Sequence, residues 1–209
     1  MIEVEGQINA VTRRVGARVL EAGEARTVTV SQTYDTTAED VWDACTNAER
    51  IPRWFMPVSG DLELGGRYQL EGNAGGTVET CDPPHRFTAT WEYGGAVSWI
   101  ELRLSPLPDG GTRFELEHIS RADDERWGEF GPGAVGVGWD LSLLGLAMHL
   151  ASGEPVDREA VAGWLASEDA RRFMTLSSDS WAEANVEAGE DAGHARAAAE
   201  RTVAAYTGG

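Results

Sequence analysis

The side chains of this chain best equipped for proton transfer, metal binding or nucleophilic attack are four histidines and two cysteines. His85, His118, His149 and His194 are scattered, as are Cys45 and Cys81, and none falls at the close spacing of a zinc site. No metal is therefore expected. His118 differs from the others because it ends the alternation Phe114, Leu116, His118, which in a strand shares one face. An imidazole at the end of an apolar face can take or give a proton near neutral pH. A core histidine bonded to a neighbouring carbonyl leaves the same pattern, and that plainer role stays open beside the catalytic one. Glu79, Glu101 and Glu117 also lie in strand-like segments. Glu101 and Glu117 have the parity opposite to the apolar positions, so both are expected to face solvent, and no acid–base pair emerges.

Other patterns are decoys. Gly131, Gly133 and Gly136 spell G-x-G-x-x-G, but a dinucleotide site needs a strand just before it, and here an acidic, loop-like stretch precedes. Close helix–sheet packing and a mobile entrance to the cavity are the expected uses of these glycines. Asp123, Asp124 and Glu125 read as a solvated charge run. No G-x-S-x-G elbow, catalytic Cys-His signature or phosphate loop is present, and no cofactor is expected. Catalysis, if any, would rest on shape, electrostatics and one proton shuttle through His118 or Tyr93.

Composition narrows the classes further. A formal net charge of −18 disfavours nucleic acid and anionic membrane surfaces, both of which need a basic patch. All 17 cationic side chains are arginine, which removes a lysine Schiff base, a pyridoxal-phosphate anchor and the phosphate-binding lysine of a P-loop. No apolar run is read as reaching the roughly 18 to 20 residues of a membrane span, and the opening MIEVEGQINA lacks the regions of a secretory signal. With only Cys45 and Cys81, a reducing cytoplasm is the expected compartment. A hydrophobic fraction of 42% over 209 residues supports one domain with a sizeable core, or one domain with an appendage.

The elements that would position these residues follow from periodicity. Val11 to Leu20 reads as one arm of a hairpin turning at Glu21–Glu24, and Arg26–Tyr34 alternates as a strand. Thr37-Ala-Glu-Asp40 is a capping-box variant opening a short helix with Val41, Trp42 and Cys45. A second helical turn runs toward Trp54 and Phe55 and is interrupted near Pro52. From Asp61 to Ser120, short alternating segments are separated by Gly65-Gly66, Gly75-Gly76, Asp82-Pro-Pro84, Gly94-Gly95 and Pro108–Gly111. Phe87, Ala89, Trp91 and Tyr93 share a face, as do Ile100, Leu102 and Leu104, and then Phe114, Leu116 and His118. This predicts an antiparallel meander with one buried face. Residues 133–151 form a long helix with two apolar stripes, Trp139, Leu143, Leu146, Leu150 and Leu141, Leu144, Met148. Asp157–Leu165, Glu168–Val186 and Ala192–Tyr206 predict three more helices, with Ala170, Phe173, Met174, Ser177 and Trp181 along one face. This tail is expected to cover the outer side of the long helix, within a protomer or across a homodimer.

That order of elements resembles the START-like superfamily, also called polyketide cyclase or Bet v-like proteins. Tyr34–Ala44 is similar to the first strand-to-helix junction of the branch named after activators of a heat-shock chaperone ATPase. Arg53-Trp54-Phe55 resembles its tryptophan-bearing turn, and Gly65-Gly66-Arg67-Tyr68 its paired-glycine strand start. Gly76–Pro84 leading to Trp91, Gly111–His118, and Gly138-Trp139 resemble the later strands and the helix. The resemblance covers residues 25–151. It implies an α+β helix-grip fold, a curved antiparallel sheet around a long C-terminal helix. Residues 1–24 would be an N-terminal extension and 152–209 a helical appendage.

Where that fold lines its cavity, this chain has Trp54, Phe55, Trp91, Tyr93 and Trp139, with Leu143 on the long helix. A mostly apolar pocket with few polar handles suits a small hydrophobic or aromatic molecule, although the same rings can fill a core. Three functions follow. The first is a ligand-binding module with these residues and His118 as walls. The second is a cyclase- or hydrolase-like enzyme using His118 as acid or base. The third is a chaperone or other protein-interaction module.

Overall fold

Alternating Val and Thr, punctuated by Gly and Pro, produce strands, while one apolar run after Phe130 and the polar-faced segments that follow it produce helices. The computed structural model describes residues 3–21 and 23–208. Helix α1 (Val4–Ala10) precedes strands β1 (Thr12–Leu20) and β2 (Gly23–Tyr34). Then come α2 (Ala38–Thr46), a 3₁₀ turn (Ile51–Arg53), β3 (Val58–Gly60), β4 (Arg67–Leu70), β5 (Gly75–Asp82), β6 (Arg86–Tyr93), β7 (Ala96–Pro106) and β8 (Thr112–Arg121). Five helices close the order: α3 (Glu125–Phe130), α4 (Gly133–Ser152), α5 (Arg158–Leu165), α6 (Glu168–Glu187) and α7 (Ala192–Thr207). The eight strands form one sheet in the order β1-β2-β8-β7-β6-β5-β4-β3, and the pairs from β3 to β8 are antiparallel. This is the expected α+β helix-grip architecture.

Residues cluster into two units, one of Met1–Val30, Arg121–Leu141 and Asp157–Gly209, the other of Ser31–Ser120 and Ser142–Val156. In the second unit the register settles which faces coincide. Phe87 pairs with Leu102 and Ala89 with Ile100, while Leu102 pairs with Leu116, Ile100 with His118 and Leu104 with Phe114. Directly paired residues point to the same side, so the three apolar alternations form one continuous face. Trp42 of α2 meets it edge-on through Phe87, with ring centroids 6.0 Å apart. The Thr37 hydroxyl accepts from the Asp40 N–H and starts α2, as the capping pattern predicts.

In the first unit, Ala170, Phe173, Met174, Ser177 and Trp181 of α6 are all buried. Gly136 of α4 lies directly under the Trp181 indole, which leaves no room for a Cβ there. Thr202 of α7 donates to the Phe130 carbonyl at 3.0 Å, and a Cβ on Gly133 would sit 3.1 Å from the Thr202 side chain. Gly133 and Gly136 thus serve helix–helix packing rather than the expected helix–sheet packing, while Gly131, at φ 61°, ends α3.

Several expectations need correction. Gly75 and Gly76 begin β5 rather than forming a turn, because Cβ atoms there would strike β4 and the Thr90 carbonyl of β6. Pro52 sits in the first turn of the 3₁₀ segment, where a missing N–H costs nothing, so it opens that turn instead of interrupting it. Residues 4–10 form a helix that no pattern announced. The hairpin between β1 and β2 is present, although Ala22 of its turn lies outside the described residues. Glu101 and Glu117 are buried, 2% and 9% exposed, because arginines fold over them. Finally, α4 does have the length and composition of a membrane span. Val137, Trp139, Leu143 and Leu146 are buried within the protein, so α4 is a core helix.

Candidate functional site

The apolar face of β6, β7 and β8 ends in a single imidazole. His118 is 4% exposed and lies across from Ile100. Trp91, paired with Ser98 on the neighbouring strand, meets His118 edge-on at 6.1 Å with an interplanar angle of 68°. Its backbone carbonyl accepts from the Ser98 hydroxyl at 3.1 Å, which ties the two strands at that level. The strand alternation therefore brings two of the expected wall residues together.

A second aromatic pair comes from the segment after α2. Trp54 and Phe55 stack with centroids 5.4 Å apart and planes 26° apart. The Trp54 indole N–H donates to the Ala44 carbonyl at 2.9 Å, which fixes the ring against the end of α2. Its own carbonyl leaves no space for a Cβ on Gly145 of α4. Both rings remain partly exposed. Leu143 of α4 is 1% exposed in the same unit. Tyr93 ends β6 beside the Gly94-Gly95 turn and is 49% exposed, so about half of it faces solvent. Trp139 is buried and belongs to the other unit.

Two polar clusters escaped the sequence reading. One joins α2, the 3₁₀ turn and the end of α4. Arg50 donates through Nη1 to Asp40 Oδ1 at 2.7 Å and Asp43 Oδ2 at 3.0 Å. Its Nε and Nη2 lie 3.4 Å from His149 Nε2. The other His149 nitrogen, Nδ1, is 2.9 Å from the Glu154 carbonyl. A carbonyl can only accept, so Nδ1 carries the proton and Nε2 presents its lone pair to Arg50. Burial pushes the Asp40 carboxyl up, but the bonds from Arg50 and Thr36 and the Arg50 charge outweigh it and hold Asp40 below the ordinary range. Burial also pushes the Cys45 thiol up to about 12, against the opposing pull of Arg50.

The other cluster lies inside the first unit. Asp140 of α4 is fully buried, and its Oδ2 accepts from Arg13 Nε at 2.9 Å, Ser177 Oγ at 2.5 Å and Trp181 Nε1 at 3.1 Å. Arg13 Nη1 also donates to the Ile8 and Val11 carbonyls, each at 3.1 Å, and so caps the end of α1. Burial raises the Asp140 carboxyl, and Arg13, Ser177 and Trp181 only partly pull it back. The signal in the sequence was one carboxylate inside an otherwise apolar twenty-residue helix.

The carboxylates of the opposite sheet face form a third arrangement. Glu101 is bridged by Arg86 at 2.6 Å and Arg103 at 2.8 Å, and Arg103 also reaches Glu115 and Glu117 at 3.1 and 3.6 Å. Arg103 bridges all three carboxylates, which suits a structural ladder better than acid–base chemistry.

Known proteins share this arrangement of elements. The family described as Activator of Hsp90 ATPase homolog 1-like protein matches residues 35–151. The crystal structure of CalU16 from Micromonospora echinospora is 37% identical over 84% of this chain and 98% of that one, with a TM-score of 0.65. Its solution structure is 38% identical over 86% and 97%, with a TM-score of 0.70. An Hsp90 activator from Plasmodium falciparum, 20% identical over 62% of this chain and 97% of its own, shares the fold at a TM-score of 0.52. No curated protein matches the chain. Sequence and architecture therefore agree, and the chain belongs to the Activator of Hsp90 ATPase homolog 1-like family of the START-like superfamily.

Proposed function

We propose that this protein binds a small hydrophobic, aromatic molecule against the apolar face of β6, β7 and β8. The observation that carries the reading is that face itself. Phe87, Ala89, Ile100, Leu102, Leu104, Phe114 and Leu116 line up in register and end at one buried imidazole beside a partly exposed indole. Apolar walls with one convergent polar group are the usual make-up of a small-molecule site. His118 supplies the hydrogen bond that orients the ligand, Trp91 its aromatic wall, and Leu143 apolar contact. Trp54 and Phe55 form a second wall that solvent reaches, and Tyr93 sits at the open end of β6. Trp139 is not used in this reading. On the opposite face Arg86 and Arg103 are engaged by Glu101, Glu115 and Glu117, so that face offers a ligand no uncommitted charge among these groups. Both cysteines are free thiols, which suits a reducing cytoplasm.

Thermal shift and tryptophan emission against a panel of phenols and their methyl ethers test this directly. A phenol that binds the folded state raises the melting temperature once its concentration exceeds its dissociation constant. In a His118→Ala chain the phenol loses about tenfold in affinity, and the matched ether much less, because one buried hydrogen bond is removed. A panel with no shift and no change in emission refutes the reading. Turnover of a bound phenol that His118→Ala abolishes would replace binding by catalysis.

A further inference from the structure

We propose that His149 is a proton switch that controls the Trp54–Phe55 wall, an inference that rests on the ligand-binding reading above. The wall is one residue from a junction where the chain leaves α4. Arg53 donates through Nη2 to the Gly153 carbonyl at 2.8 Å, and the Val156 N–H donates to the Arg53 carbonyl at 2.7 Å. His149 Nδ1–H holds the Glu154 carbonyl between them at 2.9 Å. The two Arg53 bonds fasten residues 153–156 to the 3₁₀ turn that leads into Trp54 and Phe55, and the His149 bond fastens them to α4. The fourth fastening is the Arg50 Nε–H bond to His149 Nε2, at the start of the same turn.

The Arg50 fastening is the one that depends on a neutral imidazole. His149 is 1% exposed, with one nitrogen donating and the other accepting, so the ring has no spare lone pair. A proton added at Nε2 turns the acceptor into a donor aimed at a guanidinium 3.4 Å away. The bond is lost and two cations face each other. The charged groups around the ring are Arg50 itself, the carboxylates of Asp40 and Asp43 that hold Arg50 from α2, and Arg53 on the turn. The Cys45 thiol on α2 is uncharged. Both carboxylates bind Arg50 Nη1, on the side of the guanidinium away from its Nε contact, so they draw Arg50 toward α2 when the imidazole repels it. Acidification therefore removes the Arg50 tie between α4 and the 3₁₀ turn, leaves the two Arg53 bonds alone to hold residues 153–156, and loosens the wall.

The test follows Val156 amide protection by hydrogen exchange, and the affinity for 8-anilinonaphthalene-1-sulfonate, between about pH 8 and about pH 5.5. The sulfonate of this probe does not titrate in that interval. Val156 protection and probe affinity each fall about tenfold on acidification, the equivalent of one hydrogen bond to a charged group. A His149→Gln chain shows neither step, and a His118→Gln chain keeps the step in Val156 protection. Should His149→Gln not fold, the His149 ring resonances of the unaltered chain must titrate in parallel with Val156 protection. Protection that stays constant across the interval, or a step that persists in His149→Gln, overturns the proposal. Failure of the probe to bind at any pH counts against the ligand-binding reading alone, and Val156 protection then decides the switch.

Discussion

Removing Arg13 tests the internal logic of the first unit most sharply. In an Arg13→Leu chain the Asp140 carboxylate stays fully buried and keeps its bonds from Ser177 and Trp181, but the one cation on it among the described residues is gone. Breaking a buried ion pair from one side costs ~3–5 kcal/mol, because a charge is left without compensation. In a chain of this size that lowers the melting temperature by about 10 °C. The double change Arg13→Leu with Asp140→Leu recovers most of the loss, since no charge remains buried. The pH dependence has a definite sign. Burial already raises Asp140 above its ordinary value, with Arg13 as the largest opposing influence. A raised carboxyl binds its proton more readily when folded, so its stabilisation is fullest below the unfolded value and is lost as pH rises through the folded one. Deleting Arg13 raises the folded value further, so the deficit is greatest at neutral pH and narrows on acidification. Urea unfolding followed by tryptophan emission, at several pH values, measures all of this. A double variant no more stable than Arg13→Leu, or a deficit that widens toward acid, refutes the reasoning.

Two further outcomes follow from the packing. Gly136→Ala puts a methyl into the Trp181 indole and lowers stability by ~1–3 kcal/mol through overpacking, and an unchanged melting temperature would show that α4 and α6 can separate there at no cost. Cys45, its thiol pushed up to about 12, resists Ellman's reagent in the native protein while exposed Cys81 reacts, and both react after unfolding. Rapid native reaction of both thiols would contradict the raised Cys45 thiol.

Period and punctuation carried most of the local structure. The strand alternations of residues 86–118 were legible because a strand's side chains repeat every second residue whatever its partner does. The Thr37 cap of α2 and the start of α5 at Asp157 were legible because capping is settled within a few residues. Proximity between distant residues was not. Glu101 was read as solvated from its parity alone, since nothing local says that Arg86 and Arg103 will fold over it. Gly75 and Gly76 looked like a turn because glycine serves both turns and close backbone approach, and only the neighbouring strand distinguishes the two.

The same division runs through the candidate site. His118 and Trp91 could be assigned to apolar strand faces from the sequence, but their edge-on contact needed the β6–β7–β8 register. His149 and Asp140 were passed over inside an apolar helix. Their partners Arg50 and Arg13 lie 99 and 127 residues away along the chain. The chain by itself determined which segments are helix or strand and which faces are apolar, because hydrogen bonding and burial there follow a short repeat. Tertiary structure alone decided which charges are neutralised and which rings meet, because ion pairs and aromatic contacts act through space and leave no period in the sequence.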